Sequence, residues 1–145
     1  IRKVSENAIL NANYLLRLLR DEFDVPFGRM CAHEFVISSK GFGDKSALDI
    51  AKRLLDYGFH PPTIYFPLIV REALMIEPTE TESKETLDRF ALALKKITRE
   101  LKEKPDFVRA SPHTKHLGRL DEVSAARKPN LRWTPRGSLA AGSRQ

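Results

Sequence analysis

The chain has 145 residues, 41% of them hydrophobic and 30% charged, enough for one ordinary domain or a small domain with a tail, and no apolar run approaches the roughly 18–20 residues that cross a bilayer. Cys31 is the single cysteine, which excludes a disulfide scaffold and points to a reduced, cytoplasmic setting; the opening residues lack the basic start and apolar core of a signal peptide. The net charge of +6 hints at nucleic acid, but seven Lys/Arg against two acids place +5 of it between residues 111 and 145, leaving about +1 for the rest.

The first element is a helix over Val4–Arg20, with Ser5, Glu6 and Asn7 as polar start residues and a broad apolar stripe through Ile9, Leu10, Leu15, Leu16, Leu18 and Leu19. A stripe that wide predicts cover on more than one side. Pro26 and Gly28 end the pattern, and Cys31–Ser38 reads as a strand in which His33, Phe35 and Ile37 share one face and Glu34 and Val36 the other. After a glycine-containing loop, Ser46 and Asp49 form a weak capping box for a second helix, closed by Gly58 at a left-handed C-cap position. Three prolines between residues 61 and 67 forbid a helix and a central strand there, which leaves a stiff extended loop or an edge piece. Ala73–Glu77 is a second strand. Glu80–Glu103 is the longest helix, with Thr79 and Glu82 at capping-box spacing and an apolar stripe of Leu87, Phe90, Ala91, Leu94, Ile97 and Leu101. Pro105 marks its stop, and the chain beyond is expected to be irregular. The order predicts an α+β fold: helices on one face of a short, mostly antiparallel sheet whose other face needs a neighbour.

Few constellations carry chemistry. Walker and dinucleotide glycine motifs are absent, and the four histidines have no cysteine partners at zinc spacing. Cys31 reads as a nucleophile or as a small buried hydrophobe. Lys40, beside Gly41 and Gly43, is either a Schiff-base lysine, which would have to be desolvated, or an exposed loop residue. His113 and His116 fall in the tail as solvated residues. His33 is either a hydrogen-bonded core histidine or a group turned to a partner surface. The His60-Pro61-Pro62-Thr63 loop is stiff enough to be pre-organised against a ligand or a neighbour, or simply stiffens an edge. The Glu77-Pro78-Thr79-Glu80 junction places polar groups where a cleft would lie, or only caps a helix. The tail's basic residues lie among Pro, Gly, Ser and Ala with Trp133 as the one aromatic, which is not the interleaved face that nucleic acid requires.

The strings Glu6 to Leu15, His33-Glu34-Phe35, Ala47 to Thr63 and Leu74 to Glu80 resemble, in this order, the C-terminal part of the glycine cleavage system P-protein family, most closely subunit 2 of its two-subunit bacterial form. The likeness runs from about residue 4 to Arg127-Lys128-Pro129-Asn130-Leu131-Arg132-Trp133. It implies the small C-terminal domain of an aspartate-aminotransferase-type (fold type I) pyridoxal-phosphate enzyme. Residues 1–21 would be a connecting helix, 22–110 the small domain, and 111–145 an irregular basic tail, disordered after about 134. The cofactor lysine would lie upstream of Ile1, so this chain would hold no catalytic residue and be inactive alone. For the complete protein the resemblance implies decarboxylation of glycine, with the cofactor as electron sink and the aminomethyl group passed to the lipoyl arm of the H-protein. Implied partners are subunit 1 and a second copy of subunit 2 in a heterotetramer; no metal, nucleic acid or membrane is implied. Candidate cleft-facing residues are His33, Glu34, His60, Thr63, Arg71, Glu77 and Thr79. The sequence departs from many relatives of the fold at Met75, where an arginine would clamp a substrate carboxylate; Arg71, at the same strand parity, could take over that clamp. Two other readings stay open: a non-catalytic binding module with the same fold, and a basic nucleic-acid-binding protein.

Overall fold

A computed structural model describes residues 1–133; the expected disorder after about 134 falls outside them. Helix α1 spans Arg2–Leu19, β1 Phe35–Ser38, α2 Ser46–Asp56, β2 Thr63–Ile64, β3 Ala73–Ile76, α3 Lys84–Glu103, α4 Pro105–Arg109 and α5 Glu122–Arg127. Both strand pairings are antiparallel and the order is β1-β3-β2, so β3 is central. The proline-rich stretch therefore supplies an edge strand. Thr63 and Ile64 pair with Met75 and Leu74, while Pro61, Pro62 and Pro67 stay outside the ladder, where no donor is missed.

The strand period decides what each face does. Phe35 and Ile37 of β1 lie opposite Ile76 and Leu74 of β3, and all four are buried. They meet Ala12, Leu15 and Leu19 of α1, Ile50 and Leu54 of α2, and Leu87, Ala91, Leu94 and Ile97 of α3 in one core. The other face presents Val36, Met75 and Thr63 and carries no helix among the described residues. The apolar stripe of α3 falls where its period predicts, with Phe90 and Leu101 half-buried at its margins. The stripe of α1 does not bury all round: Ile9 and Leu10 are exposed, so its breadth is not matched by cover among the described residues.

Several local boundaries differ from the sequence pattern, each for a physical reason. Ser5, Glu6 and Asn7 lie inside α1, which starts at Arg2 with no side-chain cap. Segment 31–34 is not strand, because Asn13 takes its backbone away from the sheet. The Asn13 side-chain amide donates to Cys31 O (2.7 Å) and its oxygen accepts from Cys31 N–H (3.0 Å). Helix α3 starts at Lys84 rather than Glu80. Ser83 is extended and its Oγ accepts from Thr86 N–H at 3.1 Å, while Asn11 donates to the carbonyls of Thr79 (2.9 Å) and Glu82 (3.2 Å) and holds 79–82 as a turn.

The N-terminus of α2 is not capped by a Ser46–Asp49 box. The Glu72 carboxylate, from the residue just before β3, accepts instead from Lys45 N–H (3.1 Å) and Ala47 N–H (2.9 Å), where the helix dipole favours a negative charge. At the other end Gly58 (φ 81°) permits a Schellman closure, with Phe59 N–H donating to Leu54 O and Gly58 N–H to Leu55 O, both at 3.1 Å. The expectation of irregular chain beyond Pro105 is corrected by α4 and α5. Pro105 ends α3 and opens α4 at a position where its missing N–H costs nothing.

Candidate functional site: two grooves on the open side of the sheet

Two grooves flank Met75. The first, about 370 Å³, has the His60-Pro61-Pro62-Thr63 loop as one wall and the Glu77–Thr79 junction with the start of α3 as the other. Its apolar part comes from Phe59, Phe90 and Met75, with Phe59 and Phe90 packed edge to face at 5.2 Å. Its polar part comes from His60, the hydroxyls of Thr63, Thr79 and Thr86, and the carboxylates of Glu77 and Glu82. The second, about 410 Å³, runs between β1, the 27–34 segment and Phe66-Pro67, and presents His33, Glu34, Arg29, Phe27, Met30 and Val36.

The structure thus brings His60, Thr63, Glu77 and Thr79 together in one groove and His33 and Glu34 in the other. His33 Nε2 lies 3.9 Å from Glu77 Oε1 at the seam, both side chains more than half exposed. That exposure excludes the core-histidine reading of His33. With 31–34 outside the strand, the parity drawn from His33 to Phe35 does not hold either: Phe35 is buried and His33 is not. Arg71 lies apart from both grooves. It pairs with Asp44 on the surface, and Glu72, at φ 51°, breaks the alternation that would have aligned it with Met75.

The other chemical candidates resolve in the same way. Burial pushes the Cys31 thiol up, its own backbone hydrogen bond offsetting this only in part, which is the wrong direction for a nucleophilic thiolate. Lys40 sits in a short 3₁₀ turn with its Nζ 2.5 Å from Asp24, half exposed, not desolvated. His113 is not a free loop residue: its ring stacks on Phe107 at 4.2 Å and its Nε2 lies 2.9 Å from Phe107 O. Among the described residues no cluster of three or more His, Cys, Asp or Glu could hold a metal ion.

Pyridoxal phosphate needs an aldehyde-binding lysine and a phosphate cradle. No lysine lines either groove, and the first groove carries carboxylates rather than cations. Lys84, near its rim, is held by Asp88 and Tyr14 with its pKa raised, the opposite of an activated amine. The residues present therefore do not fit the cofactor by themselves.

Opposite the grooves lies a polar cluster that sequence reasoning missed. Arg53 Nε and Nη2 donate to the two oxygens of Glu100 at 2.8 and 3.0 Å, and Nη1 donates to Asp56 at 2.9 Å. Its guanidinium stacks over Tyr57 and Phe107. Tyr57 OH donates to Glu100 at 2.8 Å. The Arg53 hydrogen bonds hold Glu100 below the ordinary carboxylate range against the penalty of burial. Burial alone would raise Asp56, but the N–H and hydroxyl of Thr114, the Arg53 guanidinium and the His113 N–H outweigh it and hold it low. A second carboxylate of α2, Asp49, receives Arg119 Nη2 at 2.6 Å. Two buried acids seven residues apart on α2 thus fasten segment 111–119 along the helix. The only signal in the sequence was acids on what would otherwise be the buried side of α2.

A family model described as "Glycine dehydrogenase, C-terminal domain" matches residues 4–115. The chain belongs to this family. It is 61% identical over 93% of its length to a protein of Desulforamulus reducens named "Probable glycine dehydrogenase (decarboxylating) subunit 2". Proteins of the same printed name from Caldanaerobacter subterraneus subsp. tengcongensis and Listeria innocua are each 57% identical over 92% of the chain. In all three the match spans 28% of the relative's own length. The α+β architecture with a three-stranded antiparallel sheet is therefore that of a C-terminal portion in this family. Among the described residues no helix is long and apolar enough to cross a membrane.

Proposed function

We propose that this chain is the C-terminal domain of a pyridoxal-phosphate-dependent glycine decarboxylase of the glycine cleavage system, of the aspartate-aminotransferase (fold type I) class. The complete enzyme releases carbon dioxide from glycine and passes the aminomethyl group to the lipoyl arm of the H-protein. It works in the cytoplasm with subunit 1 and a second copy of subunit 2 in a heterotetramer. Residues 1–21 connect to a preceding large domain, 22–110 form the small domain, and 111–145 follow it. The observation that carries this reading is the 61% identity over 93% of the chain to a protein of that name.

The geometry supports a division of labour. With no lysine in either groove, the electron-sink chemistry that pyridoxal phosphate supplies falls to the rest of the protein, and this chain contributes one wall of the cleft. In that wall His33, Glu34, His60, Thr63, Glu77 and Thr79 face the cleft. Met75 stands between the grooves where an arginine clamp would stand. A carboxylate that must leave as carbon dioxide gains nothing from a cation that stabilises it in the ground state. The first groove carries carboxylates and Arg71 is turned to Asp44; the arginine that lines the second groove, Arg29, comes from the 27–34 segment and not from the Met75 strand.

The test uses the full-length enzyme with its partner subunit, H-protein and carboxyl-labelled glycine. Labelled carbon dioxide is expected only when all are present, and this chain alone is expected to take up no cofactor colour and release none. Met75→Arg in the full-length enzyme is expected to lower the KM for glycine and to lower kcat about tenfold or more. Cofactor binding and glycine decarboxylation by the isolated chain, or no decarboxylation by the assembled enzyme, would overturn the reading.

A further inference from the structure

Helix α1 holds a loop on each of its flanks. The β1–β3 ladder ends where Phe35 lies opposite Ile76, so segment 31–34 and stretch 77–82 both lie past the last pair, at the same end of the sheet. Segment 31–34 brings His33 and Glu34 to the second groove, and 77–82 brings Glu77, Thr79 and Glu82 to the first. His33 Nε2 and Glu77 Oε1 stand 3.9 Å apart, too far for a hydrogen bond, so that pair does not hold the two loops. They are held from α1. Asn11 and Asn13 lie about 200° apart around the helix axis, with fully buried Ala12 between them in the core. On one flank Asn11 Nδ2 donates to Thr79 O (2.9 Å) and Glu82 O (3.2 Å). On the other, Asn13 Nδ2 donates to Cys31 O (2.7 Å) and Asn13 Oδ1 accepts from Cys31 N–H (3.0 Å). Asn13 Nδ2 also donates to Ile9 O (2.8 Å), one turn back, which ties the amide to its own helix.

We propose that Asn11 and Asn13 are positioning residues of the cleft, which hold the loops bearing His33 and Glu77 in register from a single helix. The residue type fits the task. An Asn amide carries two N–H donors and a carbonyl acceptor on one short, planar group. Asn11 serves two carbonyls of a turn, which the acceptor-only carboxylate of an Asp could not do. Asn13 meets both the N–H and the C=O of one residue, as a neighbouring strand would, and so takes over where the ladder has stopped. The apolar residues that follow on α1 belong to the grooves as well: Leu15 lines the first and Leu16 the second. Both grips come from one helix, so the spacing of the two loops is set by the helix and not by solvated contacts between them. Such spacing matters for chemistry, since a misplacement of about 1 Å can cost about a hundredfold in rate. The inference rests on the reading above that these loops face the cleft.

The experiment uses the full-length subunit assembled with its partner subunit and H-protein. Asn11→Leu and Asn13→Leu keep the branched shape and remove every hydrogen bond of the amide. Both positions are half-buried, so the thermal midpoint is expected to fall by only a few degrees; Asn11→Ala and Asn13→Ala repeat the measurement if a Leu variant fails to fold. Each variant is expected to lower kcat/KM for glycine about tenfold or more. In a His33→Ala background Asn13→Leu is expected to cost about threefold or less, and so is Asn11→Leu in a Glu77→Ala background, because the side chain being positioned is gone. Independently of activity, iodoacetamide labelling of Cys31, read on its own peptide by mass spectrometry, is expected to speed up about fivefold or more in Asn13→Leu and not in Asn11→Leu. Fully additive losses, which a merely structural role would give, would overturn the proposal. So would unchanged kcat/KM in both Asn variants, or unchanged Cys31 labelling in Asn13→Leu. These three results leave decarboxylation of glycine by the wild-type enzyme, and with it the functional reading, intact. No effect of His33→Ala and Glu77→Ala on kcat/KM would instead overturn the cleft assignment and the proposal together.

Discussion

The two sides of the molecule use polar residues in opposite ways. On the helical side Arg53, Asp56, Glu100 and Asp49 are largely withdrawn from water and matched donor to acceptor, Asp49 by the partly exposed Arg119, so each of the four is costly to lose. On the open side of the sheet His33, Glu77, Thr63 and Thr79 are exposed, and the His33–Glu77 contact of 3.9 Å is long and solvated. The first arrangement holds a shape; the second leaves groups free to meet something else. The difference teaches that polarity alone does not mark a site: the polar residues tied up in the fold are the best-made contacts in the molecule.

The comparison can be broken at its strongest point first. Leu94 of α3 is fully buried in the core, and Leu94→Ala is expected to cost about 2–5 kcal/mol in denaturant unfolding. Arg53→Met keeps an unbranched apolar stem but removes the guanidinium from Tyr57 and Phe107 and leaves Glu100 and Asp56 without their cation, and an expected loss of about 2–3 kcal/mol would show in the same measurement.

This second variant also has a pH signature. Asp56 and Glu100 both bind protons less readily folded than unfolded, so their contribution is complete above about pH 5 and is lost as the pH falls through their depressed folded values. The wild-type chain is expected to lose stability steeply on acidification below about pH 4, and Arg53→Met to do so more shallowly.

Arg119→Met sharpens the comparison at the edge of the cluster. It leaves the Asp49 carboxylate, 7% exposed, unpaired, at about 1–3 kcal/mol, and hydrogen exchange at His113 and Thr114 reports whether segment 111–119 loosens with it. On the open side His33→Ala is expected to change stability by no more than about 0.5 kcal/mol, since an exposed pair contributes little. Smallest of all, Arg71→Ala in the full-length enzyme is expected to leave the KM for glycine unchanged; a large rise would mean that the carboxylate clamp has moved to Arg71.

Elements governed by near neighbours in the chain are legible in the sequence itself. The apolar period set the buried face of α3, Gly58 set the end of α2, and the prolines kept residues 61–67 out of the sheet centre. Candidate groove residues drawn from motifs came together for His60, Thr63, Glu77 and Thr79, but Arg71 did not, because one residue at positive φ reset its direction.

What remained for the tertiary structure were the contacts between residues distant in sequence. Glu72 caps a helix that starts 26 residues earlier at Ser46, Asn13 claims Cys31 from the sheet, and two acids of α2 fasten segment 111–119. Periodicity and propensity are set within a turn or two of the backbone, so sequence states them directly. The partner of a buried charge is chosen by which surfaces pack together and exclude water, and that is decided only when the chain has folded.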